Sequence, residues 1–103
     1  MVEINTYKTI TQTNQFALPG FPDDPQYVWS CWQTLTPRER QVAKLICKKT
    51  NGAPTTNPEI AGKLGISQET VKIHVRNILT KFDLHSKFDF RLVLSNWDLE
   101  TIN

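Results

Sequence analysis

The stretch NPEIAGKLGISQETVKIHVR, residues 57–76, decides how the whole chain is read. Its apolar residues fall into two helical stripes separated by Gly65. Ile60, Ala61 and Leu64 form the first. Val71 and Val75, continued by Ile78, Leu79 and Phe82, form the second at a step of about 100° per residue. Gly65 suits the left-handed residue that ends a helix. Ser67 caps the helix that follows, and Ile66 and Val71 stand at the spacing of a hydrophobic staple across that cap. Thr56 with Glu59 forms a capping box at the start of the first helix, with Asn57 as the alternative cap and Pro58 in the first turn. Ala61, Gly65 and Val71 occupy positions 5, 9 and 15 of the twenty residues. Small Ala61 permits two helices to cross closely, Gly65 makes the turn between them, and Val71 plugs the angle. The segment therefore predicts two helices joined by a tight turn.

One residue departs from the buried pattern. Ile73 lies almost opposite the apolar stripe, between Lys72 and His74, with Arg76 just beyond and Asn77 and Thr80 on the same outer surface. A single exposed apolar side chain needs no special explanation. An isoleucine set among cations on the outer face of such a helix asks for one.

Working outward, TPRERQVAKLICKK (36–49) reads as another helix. Thr36 and Glu39 form a capping box with Pro37 in the first turn, and Val42, Leu45 and Ile46 make its apolar stripe. TNGAPTT (50–56) breaks it. A last helix is expected over KFDFRLVLSNW (87–97), capped by Ser86 and apolar nearly all round, so it needs more than one partner surface. Residues 1–34 read as an N-terminal arm. A short extra helix at 25–33 is allowed there, with Asp24 as cap and Pro25 at its first position. Residues 35–99 read as the folded domain.

A chain of 103 residues suits one small domain. No apolar run approaches the ~20 residues of a membrane span, and the N-terminus lacks the pattern of a signal peptide, so a cytoplasmic location is expected. Between Thr36 and Arg91 eleven Lys/Arg face five Asp/Glu, a balance of +6; outside it one Lys faces five acids, a balance of −4. A basic block between acidic ends suits a polyanionic partner, although Lys-rich faces often only solvate. Cys31 and Cys47 match neither a disulfide framework nor a zinc site, and the plain reading is two small apolar fillers. A redox role for the pair is the minority reading, because cations at Lys48 and Lys49 favour a thiolate while a helix C-terminus opposes it. No nucleophile–base set, paired carboxylates or phosphate loop is present, so neither an enzyme nor a cofactor or metal site is expected. His74 reads as a packed residue at the stripe's edge, and His85 as solvated.

Taken together, LTPRERQVAKLI, NPEIAGKLGIS and TVKIHVRNILTKF resemble the DNA-binding domain of LuxR/GerE-type transcription regulators, from about Leu35 to about Trp97. The resemblance implies an all-α, four-helix domain built on a helix-turn-helix, preceded here by the arm. It implies that the third helix of that domain, about 67–82, enters the major groove of double-stranded DNA, and that the fourth makes a homodimer. Lys72, Ile73 and Arg76 match base-reading positions. Thr70 and Lys81 match positions that hold phosphates; Ser67 and Asn77 flank the groove, and Lys48 and Lys49 add cations. Asn57, Ala61, Gly65 and Val71 match the scaffold, and Glu39 its structural acid. The resemblance also supplies a reason for Ile73. Thymine methyl groups line the major groove, so an isoleucine there meets apolar surface while Lys72 and Arg76 reach guanine O6 and N7.

Two departures from the family pattern stand out. CKKTNGAPTT (47–56) is longer than the usual turn, and only some 34 residues stand where relatives carry a receiver or ligand-binding domain. The expectation is a stand-alone DNA-binding regulator, nucleoid-associated when bound. The alternative is a protein-interaction module that binds another regulator or RNA polymerase through the aromatic arm and last helix. LTPRERQV also resembles the start of a promoter-reading sigma-factor region, which VKIHVRNIL fits less well.

Overall fold

Side-chain caps set where each helix begins. Thr36 and Thr56 each accept a hydrogen bond from the amide of a glutamate three residues on, and that glutamate answers the cap's own amide. Both pairs satisfy donors that a helix leaves orphaned. Asp24, Ser67 and Ser86 cap three further helices. The computed structural model describes residues 24–101, so most of the expected arm lies outside the described residues. Its elements are α1 (Pro25–Gln33), α2 (Pro37–Cys47), β1 (Lys49–Thr50), β2 (Ala53–Pro54), α3 (Asn57–Leu64), α4 (Gln68–Phe82), α5 (Lys87–Val93) and a closing 3-10 turn (Leu99–Thr101). Where two caps were open before α3, Thr56 holds the cap and Asn57 becomes the first helical residue.

The fold is mostly helical, as expected, with α4 at its centre against α1, α2, α3 and α5. The α3–α4 turn forms as its residues demand. Gly65 adopts φ +68°, and the amides of Gly65 and Ile66 both reach the carbonyl of Ala61. That doubly bonded ending satisfies carbonyls at the helix terminus. Asp83 ends α4 in the same left-handed conformation, and the Leu84 amide reaches back to Leu79. Val42, Ile46, Ile60, Val71, Ile78, Phe82 and Phe90 are buried around this junction. Phe82 and Phe90 meet edge to face with centroids 5.0 Å apart, a favoured aromatic geometry.

Three features differ from the expectation. The stretch after α2 is a miniature antiparallel hairpin pairing Lys49 with Pro54 and Thr50 with Ala53. Asn51 and Gly52 both take positive φ, the conformation that a two-residue hairpin turn requires and Asn-Gly supplies. Buried Thr55 ties the hairpin down by donating to the carbonyl of Lys48 at 3.0 Å. Second, α1 is packed into the main core: Val28 and Trp32 are buried, and the Tyr27 hydroxyl donates to the carbonyl of Phe82 at 3.2 Å. Third, α5 stops at Val93. Ser95 and Asn96 lie in the turn that follows, and residues of this kind compete with helical hydrogen bonding. Turning there lets Leu94 and Leu99 be buried and stacks Trp97 on Trp29 at 6.2 Å between centroids.

Candidate nucleic-acid interface

The outer face of α4 follows from its inner one. Burying Val71, Val75, Ile78 and Phe82 fixes the rotation of the helix, so residues about half a turn away must face solvent. Ile73 stands there with 46% of its surface exposed. Lys72 and Arg76 are exposed on one side of it, and half-buried Asn77 lies on the other. The Lys72 ammonium is 3.5 Å from Glu69, one turn back. Both partners are well exposed, so this ion pair is weak and leaves Lys72 available to another anion.

The two flanks of this ridge differ. On the Lys72 side lies a shallow groove lined by Asn57, Lys72, Arg76, Thr80, Leu84 and His85 among others. His85, read as merely solvated, thus borders the same concavity as two of the cations. Nothing in its local sequence signals this, because Asn57, which lines the same groove, lies 28 residues earlier in the chain. At the N-terminus of α4, Ser67 Oγ accepts the Thr70 amide at 3.0 Å and donates to the Thr70 hydroxyl at 2.9 Å. Those hydroxyls hold the first turn in shape.

The scaffold residues occupy the places their types suggested. Ala61 and Val71 are buried between the helices, and Gly65 makes the turn. Asn57 accepts a 2.8 Å hydrogen bond from the Lys87 ammonium, which links α3 to α5. Burial, and next the Arg91 charge, lower the Lys87 pKa.

Three expected roles look different in the structure. Lys81 does not point outward as a spare cation: its ammonium lies 2.7 Å from the buried carboxylate of Glu39 and 3.0 Å from the Thr34 carbonyl. Lys48 and Lys49 are exposed, but they share a groove with Phe88, Arg91 and Leu92 of α5 and do not border the ridge's groove. Lys48 also lies 3.6 Å from Glu100. Cys31 lies in the core and Cys47 packs against it. Burial pushes the Cys47 thiol up to about 12 despite the nearby Arg91 charge, and burial also raises Cys31 against the hydrogen bond from Tyr27. That direction opposes the thiolate on which a redox role would draw.

The last helix has two apolar sides. Phe90 is buried, while Phe88 and Leu92, four residues apart, are 63% and 58% exposed. Among the described residues, no group of three His, Cys, Asp or Glu could hold a metal ion, and no helix is long and apolar enough to cross a membrane.

Comparison with known proteins agrees with the helical fold. Residues 33–93 match the family model described as bacterial regulatory proteins, luxR family. The nitrate/nitrite response regulator protein NarL of Escherichia coli is 46% identical over 55 residues, which cover 53% of this chain and 23% of NarL. A homologue of that regulator from Haemophilus influenzae is 43% identical over 54 residues, covering 52% of this chain and 24% of its own. The two-component response regulator PprB of Pseudomonas aeruginosa is 38% identical over 61 residues, 59% of this chain and 20% of PprB. The match thus spans no more than about a quarter of these relatives. No solved structure matches.

Proposed function

Since the chain belongs to the luxR family of bacterial regulatory proteins, matched over more than half its length, we propose that it is a sequence-specific DNA-binding regulator that reads the major groove with α4. Ile73 meets a thymine methyl there, and Lys72 and Arg76 donate to guanine O6 and N7. Ser67, Thr70 and Asn77 flank the groove beside the phosphates. Lys48 and Lys49, beside α5, act through the long-range field that draws a polyanion in. The single observation that carries this reading is the exposed Ile73 beside exposed Lys72 and Arg76, on the face opposite the buried Val71, Val75, Ile78 and Phe82. An isoleucine exposed by itself would need no explanation; its place beside two exposed cations is what suits a duplex groove.

The exposed Phe88 and Leu92 favour a protein contact as well. In this reading they pair two copies, and a two-fold dimer spaces its half-sites about one helical turn apart. A regulator or RNA polymerase docking on the same helix is the second reading. Selecting bound sequences from random duplexes tests the main proposal. An inverted repeat should emerge, and Lys72→Ala and Arg76→Ala should each weaken binding to it by ~1–3 kcal/mol. Unchanged discrimination between the selected and random duplexes would contradict the assignment. Sedimentation at several concentrations decides between a dimer and a monomer awaiting another partner.

A further inference from the structure

Three elements meet at the C-terminal end of α4. The Thr34 carbonyl, just past the end of α1, and Glu39, in the first turn of α2, both bind the Lys81 ammonium. The same Glu39 oxygen accepts the Thr36 amide at 2.9 Å, so one carboxylate closes the α2 cap and holds α4. One residue on, the Phe82 carbonyl accepts from Tyr27 of α1. Glu39 is only 4% exposed. Burial by itself would raise its pKa; the hydrogen bonds from Lys81 and Thr36 and the Lys81 charge outweigh burial and lower it. The carboxylate is thus ionised and paired, with no face turned to a duplex.

A helix axis is fixed by two points. The Gly65 turn holds α4 at its start, close to Lys72, Ile73 and Arg76. The cluster around Lys81 holds it at its end and also opposes rotation about its own axis, which would carry the ridge sideways. We propose that Lys81 is a positioning residue that acts through Glu39 and the end of α1 to set the pose of the reading helix, and does not itself bind phosphate. Tyr27 and Thr34 make α1 part of that device, although nearly all of α1 precedes the family match, which begins at residue 33. The inference rests on the proposed DNA reading, so one measurement is made without DNA.

The test compares the full chain carrying Lys81→Met, Glu39→Gln, or both. The double variant leaves no unpaired buried charge, so it folds even where Lys81→Met does not. Binding to a selected and a random duplex is measured between roughly 50 and 200 mM salt, the range over which phosphate contacts register. Hydrogen exchange of the free protein reports on the last turns of α4. Positioning predicts that each variant lowers the ratio of selected to random affinity by roughly 2- to 30-fold. It also predicts an unchanged salt slope, faster exchange near Phe82, and a double variant no worse than the singles. The proposal is overturned if Lys81→Met shrinks the salt slope by about one while Glu39→Gln is silent, the mark of a phosphate ligand. It is equally overturned if the double variant matches wild type in ratio and exchange. A wild-type chain that binds no duplex sinks the DNA reading instead, and exchange still judges the tether.

Discussion

Replacing Ile73 with alanine isolates the base-reading claim from the fold. The side chain lies outside the core and retains 46% of its exposed surface in the free protein. Fully burying an isoleucine is worth ~1.5–3 kcal/mol, so covering the remaining half in a groove contributes about 0.7–1.4 kcal/mol. Ile73→Ala should therefore weaken binding to a selected duplex by roughly 3- to 10-fold. Its thermal midpoint should fall only slightly, because the side chain lies outside the buried core. Fluorescence anisotropy with a labelled duplex measures the affinity. Replacing each thymine in turn with uracil removes one methyl, worth at most ~0.8 kcal/mol or about 4-fold. At one position the uracil should cost the wild type affinity and cost Ile73→Ala none. The reasoning fails if no thymine shows that dependence, or if Ile73→Ala weakens random and selected duplexes alike.

Other consequences are checked by simpler means. Gly62 sits inside α3 with open space where a Cβ would stand; Gly62→Ala should stabilise the protein by ~0.5–1 kcal/mol in urea melts. Gly65, at φ +68°, should behave oppositely, with Gly65→Ala costing about 1–2 kcal/mol. Both cysteines should resist alkylation in the folded protein at pH 8 and react at once in guanidinium, and reductant should leave DNA affinity unchanged. Glu39 has a folded pKa below its ordinary value of 4.5, so its stabilisation is complete above that pH and is lost as pH falls through the folded value. Acid titration should therefore destabilise wild type more steeply than Glu39→Gln, and parallel curves would refute the pairing.

Local chemistry made much of the fold legible. Thr36 with Glu39 and Thr56 with Glu59 announced two helix starts by residue type and spacing alone, because a capping box closes within four residues. Gly65 marked the turn for an equally local reason. The face of α4 was legible as well, since a period of 3.6 places Ile73 opposite Val71, Val75 and Ile78 whatever they pack against. Asn51-Gly52 was read as a break, although the same dipeptide is a hairpin signal; the flanking strands are only two residues each, too short to show alternation.

What pattern alone left open depended on partners distant in the chain. Lys81 was matched to a phosphate-holding position, and its pairing was not legible because Glu39 and Thr34 lie 42 and 47 residues away. Cys47 looked like a candidate thiolate beside two lysines until burial raised its pKa. Lys48 and Lys49 were grouped with α4 by charge and stand with α5 by geometry. Thus the sequence by itself determined where helices begin, turn and face, because caps, glycine backbone and helical period act over a few residues. Only the tertiary structure decided which charges are free and which are already held, because ion pairing and desolvation depend on which segments the packed core brings together.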